Sequence, residues 1–252
     1  MSIRSKVALE PAFILHHYPY RDSSLLLEVF ARGYGRVGLV ARGARSARAR
    51  WRGQLENFRP LLLSWSLRGD LGTLTGLEVP VTTGVPAGRR LLSAYYLNEL
   101  ILRLLARHDP HPEVFDAYAE AIRDIDVAEE PALRIFEKRL LQALGYGLLL
   151  VHEADSGLPI ENDAWYEYLP ERGPVRRAQA GEQGIFLRGS SLTALQREQL
   201  ADPACCREVK RLMRAALSLY LGSRPLKTRE VLRQLATLSD REPDTVPRTG
   251  IN

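Results

Sequence analysis

The hydrophobic periodicity of this chain switches near residue 84 from strand-like to helical, and that change limits the folds open to it. Before it, apolar residues recur every second position. In Arg36–Arg42, a period of two puts Val37, Leu39 and Ala41 on one face and Arg36, Gly38, Val40 and Arg42 on the other. Leu61, Leu63, Trp65 and Leu67 make a similar face. Runs at 11–18, 24–31, 35–42, 60–67 and 71–79 are rich in Val, Leu, Phe and Thr and punctuated by Gly, Pro or Asp, which predicts five short strands. Five strands in so short a stretch, with a basic outer surface, fit a small closed barrel of the OB type.

Beyond Gly84, Pro86 and Gly88 the period becomes helical, with Leu97, Leu100, Ile101, Leu104 and Leu105 on one stripe. A second helix is expected over 112–126. A third is expected from Pro131, with Leu133, Phe136, Leu140 and Leu144 as its apolar stripe and Gly145-Tyr146-Gly147 as its stop. The pattern lapses over 148–189 and returns at 191–200, 207–221 and 226–236. After Thr237 little remains to bury, so 237–252 is expected to be a disordered tail. The fold class expected is α+β: a barrel over 1–82, then a mainly helical domain over 83–236 with a small module inserted at 148–189.

Charge is distributed unevenly over these parts. Residues 1–80 carry 12 Lys/Arg against 6 Asp/Glu, residues 81–180 carry 11 against 16, and residues 181–252 carry 12 against 8. Such a division suggests different partners for different parts. The eight arginines from Arg32 to Arg59 share their window with one acid, Glu56. Two adjacent cysteines, Cys205 and Cys206, cannot build a disulfide framework or a four-thiolate metal site, which suggests a reducing compartment. No apolar run approaches the roughly 18 residues of a membrane span, and no export signal is expected behind Met1–Lys6. A cytoplasmic, non-membrane protein is expected.

Signals of catalysis are weak. Gly33-Tyr34-Gly35-Arg36-Val37-Gly38 matches the dinucleotide pattern G-x-G-x-x-G, but the residues that follow have strand periodicity, which predicts a hairpin turn. His152-Glu153-Ala154-Asp155-Ser156 begins like the zinc-protease motif but lacks its second histidine. His108 and His111 are separated by Pro110. No P-loop or nucleophile elbow occurs, so no enzyme is expected.

Several blocks, in order, resemble the bacterial DNA repair protein RecO family. They are Ala12-Phe13-Ile14-Leu15-His16, Asp22-Ser23-Ser24-Leu25, Gly35-Arg36-Val37 and Val40-Ala41-Arg42-Gly43-Ala44-Arg45-Ser46 in the first part. Tyr96-Leu97-Asn98-Glu99-Leu100, Phe136-Glu137, Leu144-Gly145-Tyr146-Gly147 and Arg224-Pro225-Leu226-Lys227-Thr228-Arg229-Glu230 follow. The resemblance covers residues 8–236. It implies an N-terminal OB-fold and a helical domain with an inserted zinc-ribbon-like module. It also implies work in the RecF pathway of DNA repair and recombination: binding of single- and double-stranded DNA, strand annealing, and action with RecR to load RecA on strands coated by single-stranded DNA-binding protein (SSB). A protein adaptor that docks SSB and RecR but binds DNA weakly is the alternative. Many members carry four cysteines in the module. Here the first pair falls near Glu153 and Ser156, where there is no cysteine, and none lies near 181–189, so no zinc or other cofactor is expected. Without the metal, Trp165, Tyr168 and Phe186 are expected to hold the module by apolar contact.

The candidate DNA-binding residues are Arg36, Arg42, Arg45, Arg48, Arg50 and Arg52, with Lys227 and Arg229 in the last helix. Trp51, inside the arginine run, is either a base-stacking residue or packed under the loop. By resemblance, Arg134 would hold a carboxylate of the SSB tail, with Leu133 and Phe136 near an apolar pocket for its aromatic residue. The competing reading pairs Arg134 with Glu130 one helical turn away.

Overall fold

The computed structural model describes residues 5–46, 48–80, 85–180 and 184–239. Five strands come first: β1 (Ser5–Tyr20), β2 (Ser24–Ala31), β3 (Gly35–Ala41), β4 (Leu61–Arg68) and β5 (Leu71–Glu78). They close into a barrel in the order β1-β2-β3-β5-β4, with β3 and β5 parallel and the other pairs antiparallel. Closure removes the sheet edges that would otherwise offer unpaired backbone groups. β1 serves two neighbours: its first half pairs with β4 and its second with β2. Register shifts between Val7 and Glu10 and between Ile14 and His16 let it bend around the barrel. The expected alternation holds, since Val37, Leu39, Ala41, Leu61, Leu63 and Trp65 are all in the barrel core.

The glycine motif lies in the β2–β3 hairpin. Gly35 has φ +65°, and a Cβ there would sit 2.1 Å from the Asp109 carbonyl oxygen, so glycine is required by both conformation and contact. A strand follows it, where the dinucleotide motif needs a helix to hold the pyrophosphate.

The helical part comprises α1 (Arg89–Leu104), α2 (Pro112–Asp124), α3 (Glu129–Ala143), α4 (Gly189–Arg197), α5 (Pro203–Leu221) and α6 (Lys227–Ser239). α5 starts four residues before the expected 207, because the Asp202 carboxylate accepts a hydrogen bond from the Cys205 amide (2.8 Å) and Pro203 occupies the first turn. α6 continues past the expected end at 236 through Ser239, and the rest of the expected tail, 240–252, lies outside the described residues.

Barrel and helices share one apolar seam. Phe13 and Phe30 project outward from β1 and β2 onto Phe115 and Tyr118 of α2, with ring centroids 5.0–6.4 Å apart. Buried Asn98 of α1 donates to the Leu15 carbonyl (2.8 Å) and accepts from the Tyr118 hydroxyl (2.7 Å). That network satisfies polar groups inside the seam and fixes α1 against the barrel.

Between α3 and α4 stands the inserted module, a three-stranded sheet of β6 (Trp165–Leu169), β7 (Gly173–Arg177) and β8 (Phe186–Arg188) in the order β7-β6-β8. Tyr168 is in its core as expected, but Trp165 and Phe186 are only half-buried, and Tyr166 and Leu187 fill the centre. The pleat explains the difference, since Trp165 and Tyr166 face opposite sides of β6. Glu153 and Ser156 hydrogen bond to each other (2.5 Å), and Glu153 also accepts from the Tyr166 hydroxyl (3.0 Å).

Candidate nucleic-acid interface

The arginine run spans the β3–β4 connection. Gly43 turns the chain with φ +66° in open space, and successive turns follow through Ser46 N to Gly43 O (3.1 Å), Ala49 N to Ser46 O (3.1 Å), Arg52 N to Ala49 O (3.3 Å) and Gln54 N to Trp51 O (3.1 Å). The segment is therefore organised, not formless. It also leans on the β1–β2 turn: the Arg45 amide donates to the Ser23 carbonyl (2.8 Å), and its guanidinium reaches the Arg21 carbonyl (3.4 Å).

Trp51 anchors the loop. Its side chain is 8% exposed and packs on the barrel core, with the Arg50 guanidinium 5.4 Å from the ring centroid. Of the two readings of Trp51, the structure has the packed one, so the ring turns to the barrel instead of presenting a face for a base. Arg42, Arg45, Arg48, Arg50 and Arg52 are all exposed. Arg42, Arg45, Arg48 and Arg50 meet no carboxylate among the described residues. Cations so placed lose little hydration and keep their charge for an external anion.

Arg36 stands apart from them. It is half-buried under α1, donates to the Leu102 and Leu105 carbonyls (2.8 and 2.7 Å) and faces Glu28 at 3.6 Å. Burial lowers its pKa, Glu28 raises it and neighbouring Arg107 lowers it again. Arg36 ties barrel to helix, and its place among the DNA-contact candidates is corrected on that ground.

Lys227 is exposed at the start of α6, whose first amides are held by Glu99 of α1. Arg229 lies 5.7 Å from the Tyr96 ring centroid and borders a cleft lined by Arg89, Glu129, Glu130, Arg134, Lys210 and Arg214. Lys227 and Arg229 therefore border different clefts.

At Arg134 neither expectation holds in full. The side chain is buried, with its main partner Glu137 at 3.0 Å and Glu130 at 3.9 Å. Glu137 is fully buried and also accepts from the Tyr96 hydroxyl (2.6 Å). Burial pushes its carboxyl pKa up, while Arg134 and the tyrosine hydrogen bond pull it down. Phe136 belongs to the helical core at 1% exposure, so it cannot contact a partner; Leu133 is buried but borders the cleft. The exposed cations there are Arg89 and Arg214. Beside it a second, apolar cleft of about 400 Å³ is lined by Pro131, Leu200, Ala201, Pro203 and Cys206, with Arg207 and Lys210 at its rim.

Among the described residues, no group of three or more His, Cys, Asp or Glu side chains is arranged to hold a metal, and no helix is long and apolar enough to cross a membrane. Cys205 and Cys206 are buried on α5, and burial raises both thiol pKa values.

A closed five-stranded barrel with a cationic loop, joined through a shared seam to a helical domain, defines a two-part OB-type protein. Two family models divide at the same place: the Recombination protein O N-terminal model matches residues 6–80, and the Recombination protein O C-terminal model matches residues 86–230. The chain is 51% identical over 235 residues to the DNA repair protein RecO of Alkalilimnicola ehrlichii, an alignment covering 92% of this chain and 93% of the relative. It is 48% identical over 237 residues to that of Nitrosococcus oceani (93% and 96% covered), and 45% identical over 228 residues to that of Coxiella burnetii (90% and 98%). The chain belongs to the RecO family of DNA repair and recombination proteins.

Proposed function

We propose that this protein is a non-enzymatic mediator of RecF-pathway recombination repair in the cytoplasm. It binds single- and double-stranded DNA, anneals complementary strands and, with RecR and in functional linkage to RecF, helps RecA load on strands coated with SSB. The observation that carries this reading is the exposed arginine loop on the barrel, where Arg42, Arg45, Arg48 and Arg50 meet no carboxylate among the described residues. Annealing is opposed by repulsion between two phosphate chains, and guanidinium groups relieve it by displacing condensed counterions from both. Contacts of this kind carry little sequence information, as a general annealing factor requires.

The SSB tail, acidic and aromatic with a free carboxylate, fits the basic cleft at Arg89 and Arg214 and the apolar cleft beside Pro131. Here Arg134 is a positioning residue beneath the cleft. Zinc takes no part, since a hydrogen-bonded Glu153–Ser156–Tyr166 group stands where the family's first ligand pair would be. The adaptor alternative loses support from the acidic middle of the chain: Asp116 is bound by Arg32 and Glu120 by Arg139, so those acids do not form a free anionic face.

Annealing of complementary oligonucleotides, bare and SSB-coated, tests the proposal. Acceleration of both, with salt-sensitive binding, is expected. Absence of annealing together with binding to SSB would favour the adaptor.

A further inference from the structure

Where β1 meets α1 and α6 the surface opens into a groove of about 460 Å³. That volume suits a small aromatic ligand, since such clefts run from about 300 to 1,000 Å³. Its walls are aromatic. A period of two places His16, Tyr18 and Tyr20 on one outer face of β1, and the His16 and Tyr18 rings meet edge-on at 4.3 Å. Tyr95 of α1 lines the opposite wall, braced edge-on against Phe58 at 4.9 Å. Tyr18 and Tyr95 keep 47% and 36% of their surface exposed, more than two rings serving only the core would show.

The rim is cationic. Arg224 and Lys227 are exposed there, and the acids nearby are occupied. Glu99 accepts from the Lys227 amide (2.8 Å) and from the Thr228 amide and hydroxyl (3.0 and 2.8 Å), so its charge is spent on the α6 N-terminus. Glu28, on the adjacent strand, is paired with Arg36 and Arg107. Arg103 donates to the Leu221, Arg224 and Pro225 carbonyls and thereby fixes the α5–α6 corner that carries Arg224. Burial lowers the His16 pKa, helped by His17 and Lys227 and opposed by Glu28.

From this groove β1 runs on toward the turn that supports the arginine loop. Four residues along β1, about 13 Å at strand spacing, lead from His16 to Tyr20, where the Arg21 guanidinium lies 5.2 Å from the Tyr20 ring centroid. The arginine loop rests on that turn through Arg45. Aromatic rings bordered by cations, leading to a phosphate-binding loop, match the chemistry of an unpaired strand and not that of a duplex, whose bases are stacked inside.

We propose that this groove takes an unstacked base of single-stranded DNA, its ring against Tyr18 and Tyr95 and its phosphate at Arg224 and Lys227, with the strand continuing along β1 to the arginine loop. The site rests on the DNA-binding reading above and adds strand discrimination to it: the loop meets any phosphate chain, whereas the groove admits only a base that is free to leave its stack.

The test measures affinity of the full chain for oligo(dT), for the same strand with abasic sites, and for a duplex of equal length, across a salt series. Tyr18→Ala should lower oligo(dT) affinity about tenfold, the lower range of one lost base–aromatic contact. Duplex and abasic affinity, and the slope of log K against log salt, should stay at wild-type values. Tyr18→Phe should keep wild-type binding, and Tyr95→Phe likewise, because the ring is retained and its brace on Phe58 survives. Unchanged melting checks the fold, since Tyr18 is exposed. Wild-type oligo(dT) affinity in a Tyr18→Ala/Tyr95→Ala variant, or an equal loss on abasic strands and duplex, overturns the groove while leaving loop binding intact. Loss of a peptide partner with unaltered oligo(dT) affinity also overturns it and makes the groove a protein-docking site. If the wild-type chain binds no DNA, the groove and the broader reading fall together.

Discussion

Arginine is used in opposite ways by the barrel loop and the helical domain. In the loop, Arg42, Arg45, Arg48 and Arg50 face solvent and meet no carboxylate among the described residues. In the helical domain, Arg103 binds three carbonyls, Arg134 pairs with buried Glu137, and Arg139 holds both Glu120 and Glu198. The difference teaches that local charge counts point to an outside anion only where no carboxylate lies within reach of the guanidinium groups. A strand-to-strand loop with small residues has few acids and few free carbonyls within reach. Helix ends and packed helix faces supply both, so Arg103, Arg134 and Arg139 become structural, while Arg89 and Arg214 stay exposed.

The contrast is broken most severely by removing the loop cations. Replacing Arg45, Arg48, Arg50 and Arg52 with alanine should leave the melting profile within about 0.5 kcal/mol of wild type, as exposed substitutions do. Each lost phosphate contact should flatten the slope of log K against log salt on single strands by about 0.7, so four contacts approach a change of about 3. Annealing should fail in parallel. A wild-type slope would move the main phosphate contact to the cations around α5 and α6.

Arg134 tests the opposite case. Alanine there strands the Glu137 carboxylate in the core with only the Tyr96 hydroxyl at 2.6 Å. Breaking a buried pair from one side costs about 3–5 kcal/mol, a fall in Tm of about 10 °C for a chain of this size. Arg134→Met/Glu137→Leu should recover most of that loss, because neither charge then remains buried. Arg214→Ala and Arg89→Ala, both exposed in the cleft, should weaken SSB-tail binding with normal melting. If Arg134→Ala melts as wild type, its pairing with Glu137 is not structural.

The sequence made the alternating strands legible because a closed barrel buries one face of each: Val37, Leu39 and Ala41 declare themselves. It did not reveal the length of β1, since the pattern is broken by register shifts on either side of Pro11 and its first half pairs with β4, far along the chain. The role of Arg36 was hidden for a related reason. Alternation places it outside the barrel, as observed, but only the docking of α1 decides that this patch of the outside is covered. The same docking leaves Tyr18 and Tyr95 facing one groove, although β1 and α1 read as ordinary elements when taken singly. For Trp51 both readings were visible; the choice depended on whether the barrel core had room for its ring.

Asn98 sharpens the comparison at the seam between the two regions. Asn98→Ala leaves the Tyr118 hydroxyl without the acceptor it has at 2.7 Å, and the Leu15 carbonyl, now bonded at 2.8 Å, with only the longer Asn57 amide at 3.3 Å. A buried polar group left unsatisfied costs about 1–3 kcal/mol. Chemical denaturation should show that loss, together with faster exchange of amides in β1 and α1. Unchanged stability would mean that water replaces the amide in the seam.

The smallest effect expected concerns Glu198, the acid on which Lys138 and Arg139 converge just beyond α4. The Arg139 hydrogen bond holds its carboxyl below the ordinary glutamate value, burial opposes, and Lys138 adds to the depression. A carboxyl whose pKa is lower folded than unfolded stabilises the fold above the unfolded value. That stability is lost as pH falls from about 4.3, the unperturbed glutamate value, through the lower value of the folded state. The pair is partly exposed, so solvent screening limits the contribution to about 1 kcal/mol. Glu198→Gln should therefore lower Tm slightly at neutral pH and make the mutant and wild-type curves converge below pH 4. Curves that stay parallel through that range would show that Glu198 stabilises α4 by the shape of its left-handed turn, at φ 58°, and not by its charge.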